Sequence, residues 1–289
     1  MRSIAAGLRR VPILFYILSV LLCFVFILLS TAYFADDPAD DKSMLSYMLK
    51  GDNSLPALVM WHNALSSSDM NTWLLILSPL ICAMGYVYAF CIEISTKSYI
   101  FSLQRQGLRR FVLSRFLGCG LYSAVIMLSA LVLALITCTL YSRELGGYPF
   151  APVFEMLFHH QSSLTAFFEV CLTYAFYAFF MGIVSITLAA VISNAFTSCS
   201  ALVLVLFLFG DIQSSYAGNF MRKLFVGEVT QVDYSHFTDF LFVGNLAHGM
   251  PEFQNAFHLS YAVYIFAEIA VVIIVFVIFR LAVKKKVML

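Results

Sequence analysis

Apolar residues in this chain gather into six long stretches, and the polar residues fall almost entirely in the gaps between them. The stretches run Val11–Phe34, Trp73–Cys91, Phe116–Leu140, Leu164–Ile192, Phe196–Ile212 and Leu259–Phe279. Each is close to the roughly 20 residues that a helix needs to cross the hydrocarbon of a bilayer. Helices suit that solvent because each backbone N–H and C=O finds its partner within its own segment. The pattern therefore predicts an all-α membrane protein with six transmembrane helices in one domain spanning residues 1–289.

Charge gives the predicted helices a direction. Twelve of the 17 basic residues lie before span 1, between spans 2 and 3, and after span 6. Among them stands a single acid, Glu93. The gaps between spans 1 and 2, 3 and 4, and 5 and 6 hold Lys42, Lys50, Arg143, Arg222 and Lys223, together with most of the acids, including Asp36, Asp37, Asp40 and Asp41. Cytoplasmic loops carry the Lys/Arg excess, so both termini are expected inside. The formal net charge of +1 conceals a basic inner side and an acidic outer one.

Composition narrows the function. The chain is 62% hydrophobic and 11% charged, against about 25% charged in soluble domains. No gap is long enough for a separate soluble catalytic domain. Val11–Phe34 is too long for the apolar core of a cleaved signal and reads as a signal anchor. The seven cysteines lie in or beside spans, so they read as small packing residues rather than a disulfide framework. There is no HExxH, GxSxG or GxxxxGK[ST] pattern. No catalytic residue and no metal site is expected, and the chain has no Walker site of its own. All six histidines map to the outer gaps; only His159 and His160 are adjacent, and neighbours on a helix point apart.

Three features interrupt the apolar pattern. Between spans 2 and 3, Ser98–Gln106 predicts a short amphipathic helix, stopped by Gly107 and followed by the basic Leu108–Arg115 entry into span 3. Between spans 4 and 5 the turn near Ser193–Ser198 is tight, with Ser193 or Asn194 available to cap span 5. Before span 6, Gln213–His258 is too apolar for a free loop; short re-entrant helices dipping into the outer leaflet are expected there. Pro79 is a candidate kink in span 2. Ser185, Ala189 and Ser193 recur every fourth residue on span 4, a spacing that permits close helix approach. Trp61, Trp73, Tyr86, Tyr88, Tyr141 and Tyr148 read as interfacial aromatic belts.

Two carboxylates fall inside spans and clear of either end. Glu268 sits about nine residues into span 6, roughly 14 Å along the axis, with Tyr264 and Tyr261 on the same face. Glu169 lies nearer the outer end of span 4, followed by Thr173. Acids at this depth are costly and face a cavity or a partner. They mark either a polar strip on a translocation path or a buried hydrogen bond between helices.

The order of features around spans 2 and 3 resembles the ABC-2 type permeases, the membrane subunits of ABC transporters. The matching elements are Glu93 after span 2, the Ser98–Gln106 helix, Gly107, and Arg109-Arg110 leading into span 3. The resemblance implies that this helix is a coupling helix docked on an ATPase subunit, with Glu93, Tyr99, Phe101, Leu103, Arg105, Gly107 and Arg109 at the contact. Asn194, in the 4–5 turn, belongs to a second, smaller contact. It further implies export of a peptide, antibiotic or lipid-like substrate across a bacterial cell membrane. The partners would be a separate ABC ATPase and a second copy or a homologous permease, with ATP and Mg held by the ATPase rather than by this chain. No nucleic-acid partner is expected. Two other readings stay open: a proton-coupled secondary transporter using Glu268, and a non-transporting sensor or immunity subunit.

Overall fold

The computed structural model describes residues 11–29, 31–32, 42–45, 57–66, 69–141, 163–207 and 261–288. These are almost wholly helical. Helix α1 is Ile13–Leu29. An antiparallel two-residue pair, β1 Thr31–Ala32 and β2 Lys42–Ser43, follows it, with Thr31 opposite Ser43. Then come α2 (Ala57–Ser66), α3 (Asp69–Ser78), a π-helical turn (Pro79–Ala83), α4 (Met84–Ser95), α5 (Tyr99–Tyr141), α6 (Ser163–Ile192), α7 (Ala195–Phe207) and α8 (Tyr261–Met288). Met1–Arg10 and the expected re-entrant segment Gln213–His258 lie outside the described residues.

Three of these helical stretches are long and apolar enough to cross a membrane: Trp73–Ser95, Tyr99–Tyr141 and Tyr174–Ile192. Helices α1 and α7 are apolar but shorter. Large apolar side chains point outward along the bundle, among them Leu121, Val125, Val132 and Ile136 on α5 and Ile273, Ile274 and Val277 on α8. In water such a surface would drive association; in lipid it costs nothing. The molecule has the build of a membrane protein.

Packing selects one face of each helix. The most extensive contact joins α5 to α6. It is close because Gly182 lacks a Cβ: one built there would fall 2.6 Å from Ser123 Oγ and 3.0 Å from the Cys119 carbonyl. Small residues at a helix contact let backbones approach, which is how helices associate without a hydrophobic driving force. On α8 the inward positions are Phe276, Phe279 and Val283. Phe279 stacks against Phe90 and Phe116 at ring separations of 5.9 and 5.7 Å. On α6, Ser185 and Ala189 are buried, while Ser193, just past its end, is exposed.

Pro79 does interrupt span 2, and the structure shows how the break is satisfied. Proline has no N–H, so the carbonyl four residues back, that of Leu75, loses its helical donor. Two hydroxyls replace it: Ser78 Oγ and the Tyr177 phenol each donate to Leu75 O at 2.8 Å. The backbone widens into the π turn Pro79–Ala83 immediately after. A freed carbonyl at membrane depth must find such donors, since lipid offers none.

The segment before span 2 departs from the sequence reading. Ala57–Ser66 is a helix, packed inward, where only an outer loop was expected. Leu58, Met60, Trp61 and Leu65 are buried. The Trp61 indole donates to the Leu131 carbonyl at 3.1 Å, and Tyr174 donates to the Leu65 carbonyl at 2.9 Å. Trp61 and Tyr86, expected in aromatic belts, are instead core residues, each about 2% exposed or less. The Trp61 indole is placed by its acceptor inside the bundle, and the Tyr86 ring by the space that Gly118 leaves. Trp73 and Tyr88 are exposed.

Candidate functional site

The most organised polar cluster lies where α4 turns into α5. Helix α4 ends at Ser95, and a tight turn follows. Thr96 N donates back to the Ile92 carbonyl at 2.9 Å, and Lys97 takes a left-handed φ of 56°. Helix α5 then starts at Tyr99 and is broken at Gly107, whose φ of 73° and ψ of 158° are non-helical. A residue with a Cβ avoids that conformation. The short helix expected over Ser98–Gln106 is present over 99–106, its glycine stop is present as well, and the basic run 108–115 resumes as helix.

The short helix has two faces. Tyr99 and Ser102 are buried beneath it. Ile100, Phe101, Gln104 and Arg105 are exposed, Phe101 to 70%. Leu103 lies half-buried, and Arg109 and Arg110 are exposed beyond the glycine. Of the residues expected at a partner contact, the structure therefore presents Phe101, Arg105 and Arg109 outward. It turns Tyr99 and Glu93 inward.

Glu93 is the anchor. It is only 4% exposed, and its Oε1 accepts from Arg115 Nη2 at 2.8 Å and from Ser102 Oγ at 3.3 Å. Arg115, 5% exposed, also lies over the Phe111 ring, its guanidinium carbon 5.4 Å from the centroid. Two ends of a hairpin are thereby tied together. The acid closes α4, the hydroxyl sits on the short helix, and the arginine opens the long arm of α5. Charged donors and acceptors make the strongest hydrogen bonds, and burial makes the pair hard to break.

Arg115 was not among the residues singled out from sequence, although Glu93 was. The available signal was Glu93 itself. A lone acid amid twelve basic residues, flush with the end of an apolar span, calls for a cation at the start of the next. A second group also escaped notice. The Tyr86 and Tyr122 rings stand 5.9 Å apart, with Tyr16 6.3 Å from Tyr122. Tyr16 and Ser129 share a hydrogen bond of 2.7 Å. The hydroxyls of Tyr86 and Tyr122 are buried without a hydrogen bond among the described residues, as is Arg115 Nε, and Tyr86 lies within electrostatic reach of Arg115. Gly118 makes room for Tyr86, whose hydroxyl a Cβ there would meet.

The second expected contact sits at the same end of the bundle. Helix α6 stops at Ile192, Ser193 takes a φ of 66°, and Asn194 caps α7 by accepting from Thr197 N at 3.1 Å. Asn194 is exposed. Lys286 from α8 donates to Ser193 Oγ, closing the turn against the last helix. Partial burial pulls the Lys286 ammonium below its usual range.

The candidate path residues lie on described backbone. Tyr261, Tyr264 and Glu268 fall in the first two turns of α8, and Glu169 and Thr173 in α6. Their helical spacing keeps each set in register on its helix. Their side chains lie outside the described residues, as do those of all six histidines. Among the described residues no group of three or more His, Cys, Asp or Glu side chains comes together to hold a metal. The seven cysteines are unpaired; the closest two, Cys23 and Cys82, approach to 3.7 Å between sulfurs.

No family model, curated protein or solved structure matches the chain.

Proposed function

We propose that this chain is the membrane subunit of an ABC-2 type exporter, coupled to a separate ATPase through the 99–106 helix. One observation carries the reading. A short helix is held from beneath by Ser102, which donates to the Glu93 of a buried ion pair, is set off from the following helix by Gly107, and is left with Phe101 and Arg105 bare on its outer face. An aromatic and a cation on a rigid, exposed helix face are favoured residues for a protein contact. Rigid anchoring is what transmitting a push requires, because a flexible loop would absorb it.

In this reading both termini are cytoplasmic and the six apolar stretches span a bacterial cell membrane. The Asn194 turn makes a second, smaller contact with the ATPase. The permease works with a second copy or a homologous chain. ATP and Mg belong to the ATPase, which supplies the closure that moves α1, α4 and α7 around a central path. The exported molecule is peptide-, antibiotic- or lipid-like.

The test is whether an ABC ATPase copurifies with this chain from its own cells, followed by Phe101→Asp. Phe101 is exposed, so the variant should insert and fold as the parent does. Placing a carboxylate in an apolar contact should lower complex yield and ATPase stimulation at least tenfold, since an unpaired buried charge costs several kcal/mol. A Phe101→Asp chain that still binds and stimulates the ATPase normally defeats the proposal.

A further inference from the structure

We propose that the cleft between the ends of α6 and α8 is a binding site for an anionic glycerophospholipid. This rests on the membrane character of the bundle and not on the exporter reading. The cleft has a volume of about 480 Å³ and is walled by Ala190 and Val191 of α6 and by Ile278, Leu281 and Ala282 of α8. Lys285 and Lys286 stand at its rim.

The arrangement follows from helical spacing. Ile278, Leu281, Ala282 and Lys285 are related by steps of three, four and seven residues, so they line one face of α8. From Ile278 to Lys285 is about 10 Å along the axis. The face therefore passes from branched apolar side chains to an ammonium, the order in which a lipid's acyl chains give way to its headgroup. Ala190 and Ala282 are the smallest side chains in its wall, and a longer one at either would narrow it. Val191, Ile278 and Leu281 are 58%, 46% and 61% exposed, so the wall is open to lipid on one side.

Charge selects the occupant. Lys286 is held by Ser193 Oγ and so presents a fixed cation, while Lys285 and Lys284 are exposed beside it. Among the described residues, Glu93 is the acid at this end of the bundle, and it is bound to Arg115. A phosphate at the rim would meet uncompensated positive charge, and the acyl chains attached to it would fill the apolar cleft. A basic pocket between membrane helices with that combination fits an anionic headgroup rather than a zwitterionic one. A lipid seated there would bridge α8 and the α6–α7 turn, the two elements that Lys286 already joins.

The purified chain in neutral detergent is titrated with phosphatidylglycerol, phosphatidylcholine or inorganic phosphate. Lipid retention is read by native mass spectrometry and stability by the thermal midpoint. Phosphatidylglycerol should stay bound and raise the midpoint; the other two should do neither. Lys285→Gln should weaken phosphatidylglycerol binding about fivefold, and Ala282→Leu should abolish its retention. Lys285 is exposed, so its exchange carries the test alone if Ala282→Leu does not fold. The proposal is overturned if phosphatidylcholine stabilises equally, if inorganic phosphate alone reproduces the effect, or if Lys285→Gln retains phosphatidylglycerol as the parent does.

Discussion

Replacing Glu93 with Gln isolates the contribution of the buried ion pair, because the change removes a charge and almost no volume. At the observed separation of 2.8 Å, the pair attracts by about 6 kcal/mol at an effective dielectric of about 20. Desolvating each ion costs several kcal/mol, so the intact pair contributes little net stability. Breaking it is another matter. Arginine does not deprotonate in a protein, so Glu93→Gln leaves a buried cation with Phe111 and weak dipoles for company. The expected loss is about 3–5 kcal/mol. Arg115→Met should cost less, because the stranded carboxylate can take up a proton and keep its bond to Ser102. The double variant should be more stable than Glu93→Gln alone. Denaturant unfolding of the purified chain in detergent, followed by tryptophan fluorescence, measures all three. Losses that simply add, or a Glu93→Gln loss under about 1 kcal/mol, would refute the claim that Glu93 and Arg115 act as a buried unit.

Gly107→Ala should destabilise by about 1–3 kcal/mol, since φ is 73° there and no atom lies within 4 Å of an added Cβ; a change below 0.5 kcal/mol by the same assay would show the break is not strained. Tyr177→Phe and Ser78→Ala should each cost about 1 kcal/mol, because the Leu75 carbonyl keeps one donor. The pair together should cost more than their sum, as the carbonyl is then orphaned, and strict additivity in thermal unfolding would contradict that account. Glu268→Gln should impair transport at normal expression if the ionised group lines the path. If Glu268 is a structural hydrogen bond, Gln should be silent and Glu268→Leu should lower the thermal midpoint.

What could be read from the chain, and what could not, divides along a physical line. Gly107 and Pro79 announced a break and a kink, and Ser193 or Asn194 a cap, because each acts on the backbone beside it. A missing Cβ, a missing N–H and a short side-chain oxygen have consequences within four residues. The partners that complete those features sit far away in sequence. Tyr177 lies about a hundred residues from the Leu75 carbonyl it satisfies, and Arg115 is 22 residues from Glu93. Trp61 and Tyr86 were misplaced for the same reason, since nothing in their neighbourhoods names Leu131 or Gly118. In a soluble protein the alternation of polar and apolar residues would have identified the buried face of each helix. Helices α5, α6 and α8 are apolar on nearly every side, so that signal is absent. Small residues choose the face instead. Gly182 seats α6 on α5, and Ala190 and Ala282 leave the cleft beneath Lys285. Within an apolar bundle, then, structure is encoded less by which residues are hydrophobic than by where the chain places its few polar atoms and its smallest side chains. In this chain the basic end carries an example of each: the Glu93–Arg115 pair beneath the elbow of α5, and the cleft at Ala190 and Ala282 beside the lysines of α8.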